Sequence, residues 1–139
     1  MRRVFVDTGA FVAMRNRAEI EHLAARRTMG ALIEAGVGLF TSNYVVAETY
    51  TALLVRAGRG EAVAWGTAFR AGRAIELVRV DERVEDEAWS IIVAHQDKAW
   101  SYVDATSFAL MEREGTDEAF AFDRDFTQRG LRVHPRASS

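Results

Sequence analysis

Short apolar runs alternate with stretches of helical periodicity through almost the whole chain, and this alternation restricts the fold more than any single residue does. Val4–Val6, Val37–Thr41, Ile75–Val80, Ala119–Phe122 and Leu131–Val133 have the length and composition of buried strands. Phe11, Val12 and Met14 mark a short helix after the first run. Ile20, Leu23, Ala24, Met29, Leu32 and Ile33 trace an amphipathic helix across Ala18–Ala35, closed by Gly36. Ser42 or Asn43 can cap a helix over Tyr44–Ala57 that ends at Gly58, and a further helix, weakened by Gly66, covers Glu61–Arg70. Asp81 can cap a helix carrying Val84, Ala88, Trp89, Ile91, Ile92 and His95 on one side. Asp104 begins another that reaches Gly115, and a helical turn spans Arg124–Gln128. This order predicts an α/β fold, a three-layer α/β/α sandwich around a mainly parallel sheet.

A chain of 139 residues with 49% apolar content can bury one sizeable core, so a single domain over 1–139 is expected. Neither a Pro/Gly-rich linker nor an internal repeat divides it. The first apolar run is too short for a secretory segment and no run suits a membrane span, which predicts a soluble cytoplasmic protein. With no cysteine, the chain has no disulfide, thiolate metal site or cysteine nucleophile, and any metal must be held by oxygen or histidine nitrogen. Lys98 is the only lysine beside seventeen arginines. Arginine forks suit phosphate, although coding bias produces the same composition.

Four acids stand where a solvated acid would not need its apolar neighbours. Asp7 ends Val4-Phe5-Val6; Glu48 lies in Tyr44-Val45-Val46-Ala47-Glu48; Asp104 follows Tyr102-Val103; Asp123 follows Ala119-Phe120-Ala121-Phe122. In a parallel sheet the carboxyl ends of the strands share one edge, where ligands bind. Four carboxylates converging there repel one another unless some take protons or a cation is present. Hard oxygen ligands without histidine or cysteine select Mg²⁺ or Mn²⁺, the ions used for phosphodiester hydrolysis without a protein nucleophile. The hydroxyls of Thr8, Ser42, Thr106 and Ser107 are candidates to orient the acids or a water.

Taken together, Phe5-Val6-Asp7-Thr8-Gly9-Ala10-Phe11-Val12-Ala13, Ser42-Asn43-Tyr44-Val45-Val46-Ala47-Glu48, Ser101 through Met111 around Asp104, and Ala121-Phe122-Asp123-Arg124-Asp125-Phe126 resemble the four acidic blocks of PIN-domain ribonucleases, especially VapC-type toxins of prokaryotic toxin–antitoxin pairs. The blocks occur in the family's order and span nearly the whole chain. The resemblance implies a Mg²⁺- or Mn²⁺-dependent endoribonuclease, often dimeric, that acts on RNA and is inhibited by a small antitoxin protein. It places Asp7, Glu48, Asp104 and Asp123 in the catalytic metal site. In the last block a second acid, Asp125, stands where relatives often carry histidine or another residue, so Asp125 can share or take over the fourth role. Asp123 is favoured because it directly follows the strand.

Each acid also has a plainer reading. Asp7 and Asp104 can serve as N-caps, and Asp123 and Asp125 can form a solvated turn around Arg124. His22, His95 and His134 lack metal-ligand spacing and read as boundary or surface residues. Trp65, Trp89 and Trp100, with Phe69 and Tyr50, can stack bases, but at helical spacing they suit core or dimer contacts. Arg15, Arg17 and Arg124 are the candidates for RNA phosphate contact; Arg26, Arg27, Arg70 and Arg73 read as solvated faces. Rival functions are a non-toxin RNA-processing nuclease, an idle RNA- or protein-binding module, a nuclease for structured DNA, and a dimeric aspartic protease using Asp7-Thr8-Gly9. The last is almost wholly β in fold, which the helical periodicity after Asp7 opposes. The helices over Tyr44–Ala57 and Glu61–Arg70 offer apolar residues for a homodimer surface.

Overall fold

The computed structural model describes residues 1–136. Strands β1 (Arg3–Val6), β2 (Gly38–Ser42), β3 (Ile75–Val78), β4 (Glu118–Phe120) and β5 (Arg132–His134) form one sheet in the order β3-β2-β1-β4-β5, and every pairing is parallel. Helices α1 (Thr8–Arg15) and α2 (His22–Glu34) link β1 to β2, and α3 (Asn43–Ala57) and α4 (Arg59–Ala71) link β2 to β3. The return to β4 runs through α5 (Glu82–Ala94) and α6 (Tyr102–Glu114), and α7 (Arg124–Gln128) precedes β5.

Right-handed crossovers fix the layers. From β1 to β3 the chain steps one way across the sheet, which puts α1 to α4 on one face; α1 packs on α2 and α3, and α3 on α4. The jump from β3 back to β4 reverses direction and carries the paired α5 and α6 to the other face. The expected three-layer sandwich is present, with a sheet that is wholly rather than mainly parallel. Strand order reverses between β1 and β4, so the crevice at their carboxyl ends is the topological switch point of the sheet.

Central strands covered on both faces should be apolar throughout, and Val4, Phe5, Val6, Phe40, Ala119 and Phe120 are all fully buried. Phe126, on α7, is equally buried, with its ring 6.5 Å from Phe5 and 5.1 Å from Phe108. Burying a side chain of this size contributes roughly 1.5–3 kcal/mol, enough to pin a helix of five residues that could not persist alone.

Several boundaries differ from the sequence expectation for local reasons. Helix α2 begins at His22 rather than Ala18, because Asn16 holds the preceding turn, accepting from Ala18 N–H at 3.2 Å and donating to Glu19 at 3.0 Å. β3 stops at Val78 since the Val80 N–H leaves the sheet for Asn43 Oδ1 at 2.7 Å. Ser101, not Asp104, caps α6: Ser101 Oγ accepts from the Asp104 N–H at 3.0 Å, and Asp104 sits inside the first turn. Gly115 ends that helix in the left-handed conformation, with φ at 71°, that a side chain would disfavour.

Candidate active site

Asp7 leaves the end of β1 at the switch point and begins α1, yet its side chain makes no capping hydrogen bond. It is only 3% exposed, and its Oδ1 is buried without a hydrogen-bond partner among the described residues. A buried carboxylate oxygen left unpaired costs about 1–3 kcal/mol or more, so the position is not explained by stability. Burial drives the Asp7 pKa up to about 7; the charges of Glu48 and Asp123 add to this, and the backbone N–H groups of Thr8 and Gly9 offset part of it.

Asp104 reaches the same crevice from the opposite helical layer, in the first turn of α6 and nearly as buried. Desolvation raises its pKa well above the carboxylate range. The facing carboxyl of Asp125 and the charges of Asp7 and Asp123 raise it further. Carboxylate oxygens of Asp104, Asp123 and Asp125 all lie within 4.8 Å of one another. Asp123 does not directly follow β4, which stops at Phe120. It stands three residues further on as the N-cap of α7, where its Oδ1 accepts from the Asp125 N–H at 2.9 Å. The cap fixes the spacing of the two acids, and the half-buried Asp125 lies closer to the interior than the exposed Asp123.

Glu48 comes from the second turn of α3, which the buried Ser42 caps by accepting from Val45 N–H at 3.1 Å. Thr8 Oγ1 donates to Glu48 Oε1 at 2.6 Å, so the residue after Asp7 holds the carboxylate of another helix. All five acids are thus brought to one edge. The donor set fits a divalent cation: an orphaned buried oxygen, a close trio of carboxylates, and two carboxyls that favour a proton when no cation opposes their charge.

The other expected residues divide. Thr8 orients an acid, but Ser42 is a helix cap, and Thr106 Oγ1 and Ser107 Oγ both donate to the Val103 carbonyl, at 2.6 and 3.1 Å. Arg124 is exposed beside Asp123. Arg15 and Arg17 lie at the far end of α1, where they line a groove of about 710 Å³ with Arg26, His22 and Trp65, and Arg15 pairs with Glu61 at 2.8 Å. Arg27, Arg70 and Arg73 are exposed, as expected. His22 and His95 bond the carbonyls of Ala13 and Ile91, and His134 bonds Glu118. Trp65 and Trp100 are buried, whereas Trp89 faces solvent. Asp7-Thr8-Gly9 opens a helix after a parallel strand, an arrangement foreign to the β fold of aspartic proteases.

Two features went unnoticed in the sequence. Arg2 and His134 both bond the buried Glu118 carboxylate, with contacts of 2.8 and 2.9 Å. Tyr44 hydrogen-bonds Glu85 and packs its ring 6.1 Å from that of Tyr102. Position offered the only signal for the second: Tyr44 precedes Glu48 by one helical turn and Tyr102 shares a turn with Asp104.

A family model described as PIN domain matches residues 4–130. The chain belongs to the PIN-domain family. This PIN domain is 37% identical over 128 residues to the 23S rRNA-specific endonuclease VapC20 of Mycobacterium tuberculosis, found in two strains, with 92% of this chain and 95% of the relative covered. The crystal structure of M. tuberculosis VapC20, described as a Sarcin-Ricin loop cleaving toxin, matches with a TM-score of 0.83 at 36% identity over 92% of this chain and 95% of that one. VapBC2 from Rickettsia felis, solved with a DNA fragment from its promoter, matches with a TM-score of 0.66 at 11% identity, covering 95% and 97% of the two chains, a likeness of fold.

Proposed function

We propose that this PIN domain is an endoribonuclease that depends on Mg²⁺ or Mn²⁺ and serves as the toxin of a toxin–antitoxin pair. The observation that carries the reading is the buried, unpartnered Asp7 Oδ1 facing a cluster that also holds Asp104, Asp123, Asp125 and Glu48. Asp7 and Asp104 would hold the ion, with Asp123 and Asp125 completing the set and Glu48 at its rim. When bound, the ion supplies Lewis acidity that neutralises phosphoryl charge and acidifies water. Thr8 occupies Glu48 Oε1, which leaves Oε2 to orient the attacking water by accepting its proton. Arg124, exposed next to Asp123, suits a flanking phosphate of the RNA.

Likeness to VapC20 over nearly all of both chains supports a structured ribosomal RNA loop as the substrate. The partners in this reading are that RNA, a small antitoxin, and a second copy of the chain meeting the exposed Tyr50, Leu54 and Val55 of α3 and Val63 of α4. The protein would work in the cytoplasm; among the described residues no helix is long and apolar enough to cross a membrane.

Incubation with labelled RNA, single-stranded DNA and casein, each with Mg²⁺, Mn²⁺ or EDTA, tests the chemistry. RNA cleavage that EDTA abolishes is expected, and failure to cut any RNA with either ion would overturn the reading. For the toxin role, growth arrest on expressing the chain alone, relieved by the product of a neighbouring short open reading frame, is expected.

A further inference from the structure

A depression of about 540 Å³ opens beside the acid cluster, lined by Asn43, Tyr44, Ala47, Glu48, Thr51 and Val103. Apart from Glu48, which joins it to the acids, its lining is neutral. With no arginine or lysine in the wall, it does not suit a backbone phosphate. Tyr44 forms one side and is fixed at both ends: its hydroxyl bonds Glu85, and its ring lies against that of Tyr102, tilted by 31°. With their centroids 6.1 Å apart the two rings are too close for a base to stack between them. Tyr102 stands outside that lining but against Tyr44, two residues before Asp104, and remains 40% exposed. Asn43, also in the lining, supplies a polar counterpart: its Oδ1 accepts from Val80 N–H at 2.7 Å, which fixes the amide orientation and leaves the Nδ2 donors without a partner among the described residues.

We infer that the Tyr44–Tyr102 pair is a stacking platform for one unpaired nucleobase of the RNA, adjacent to the bond that is cut. A flat aromatic face, a neutral wall and an amide donor match a base, not a ribose-phosphate chain. A duplex cannot present such a base without unpairing it, so the platform selects loops or single strands. Glu85 acts as a positioning residue, since its bond to Tyr44 holds the ring against which Tyr102 leans. This inference rests on the ribonuclease reading for its choice of ligand.

Base stacking on an aromatic ring tolerates any base, so a probe need not be the natural substrate. The test uses the Asp7→Asn protein, which keeps the RNA intact, with single-stranded RNA carrying 2-aminopurine at successive positions; stacking quenches its fluorescence. Quenching at one or two positions is expected. Tyr102→Ala should remove it and weaken binding about tenfold, while Tyr102→Trp restores both and Tyr44→Phe retains part. Melting temperatures of the Tyr102 variants should match the parent, as the side chain is half-exposed. Quenching that survives Tyr102→Ala, or RNA bound with no quenching anywhere, would overturn the platform. The same holds if a fully paired RNA binds as well as the single strand. If the unsubstituted protein cuts no RNA while the quenching pattern appears, the ribonuclease reading falls and the platform stands.

Discussion

Thr8 Oγ1 and Glu48 Oε1 lie 2.6 Å apart, a hydrogen bond that joins the first turn of α1 to the second turn of α3 at the carboxyl edge of the sheet. Thr8 follows the acid that ends β1, so one dipeptide supplies both a buried carboxylate and the donor that restrains another. Bonds to charged acceptors contribute about 1.5–3 kcal/mol, at the upper end when partly buried.

Thr8→Val keeps the shape of the side chain and removes the donor. Cleavage is expected to fall between roughly 10- and 100-fold, the usual cost of losing a residue that orients a site carboxylate. Thr8→Ser should recover most of it. Rates for the three proteins at saturating Mn²⁺, with melting temperatures to exclude unfolding, check this.

Without a cation the acid cluster should destabilise the protein as pH rises. Burial lifts Asp7 from 3.8 to about 7 and raises Asp104 as well, so the folded state holds protons that the unfolded chain releases. A raised carboxyl pKa therefore favours folding fully below about pH 4, and that advantage is lost as pH climbs through 7. The cost amounts to several kcal/mol at the upper end. Calorimetry in EDTA from pH 4.5 to 8 should show a falling melting temperature, Mn²⁺ should raise it more at pH 8 than at pH 5, and Asp7→Asn should be more stable than the parent in EDTA at pH 8.

Glu118 gives the opposite limb. Its bonds to Arg2 and then His134 hold the carboxyl down at about 2, against the opposing effect of burial. A depressed carboxyl pKa stabilises the fold above the unfolded value of 4.5 and loses that contribution as pH falls towards 2. Since Arg2 is half-exposed, solvent screening reduces this contribution. Glu118 opens β4, at the end of the sheet opposite the acids. Glu118→Gln should therefore lower the melting temperature at pH 7 and flatten the acid limb while leaving RNA cleavage unchanged.

Asp123 and Asp125 can be separated by substitution. Asn caps helices as well as Asp does, so Asp123→Asn keeps α7 in place and removes only charge. Asp125→Asn removes the more buried carboxylate, the one that faces Asp104. Titration calorimetry with Mn²⁺ should show weaker binding for both, with the larger loss for Asp125→Asn.

The element order and the gathering of the acids were legible because both depend on short-range pattern. Apolar runs such as Val4–Val6 announce central strands, and acids after them must fall at the carboxyl edge once the sheet is parallel. Roles decided by three-dimensional competition were not legible. Asp104 could be read as an N-cap from its position, but Ser101 is nearer the helix start and takes that bond. Thr106 and Ser107 sit beside Asp104 in sequence, yet the helix turns their hydroxyls back onto Val103. The Arg2–Glu118–His134 network joins residues from three strands' ends, and nothing local marks it. Arg15 ends α1 and Arg17 follows it closely, but the length of that helix carries both away from Asp7 and to a separate groove.

The shortest route to a decision is the rate of RNA cleavage with Mn²⁺ by the unsubstituted protein, Asp7→Asn and Asp104→Asn, measured side by side. If these buried carboxyls hold the ion that acts on the phosphate, each substitution should cut the rate by roughly 100-fold or more while the fold persists. Cleavage at the unsubstituted rate by both variants would remove the acid cluster from the chemistry.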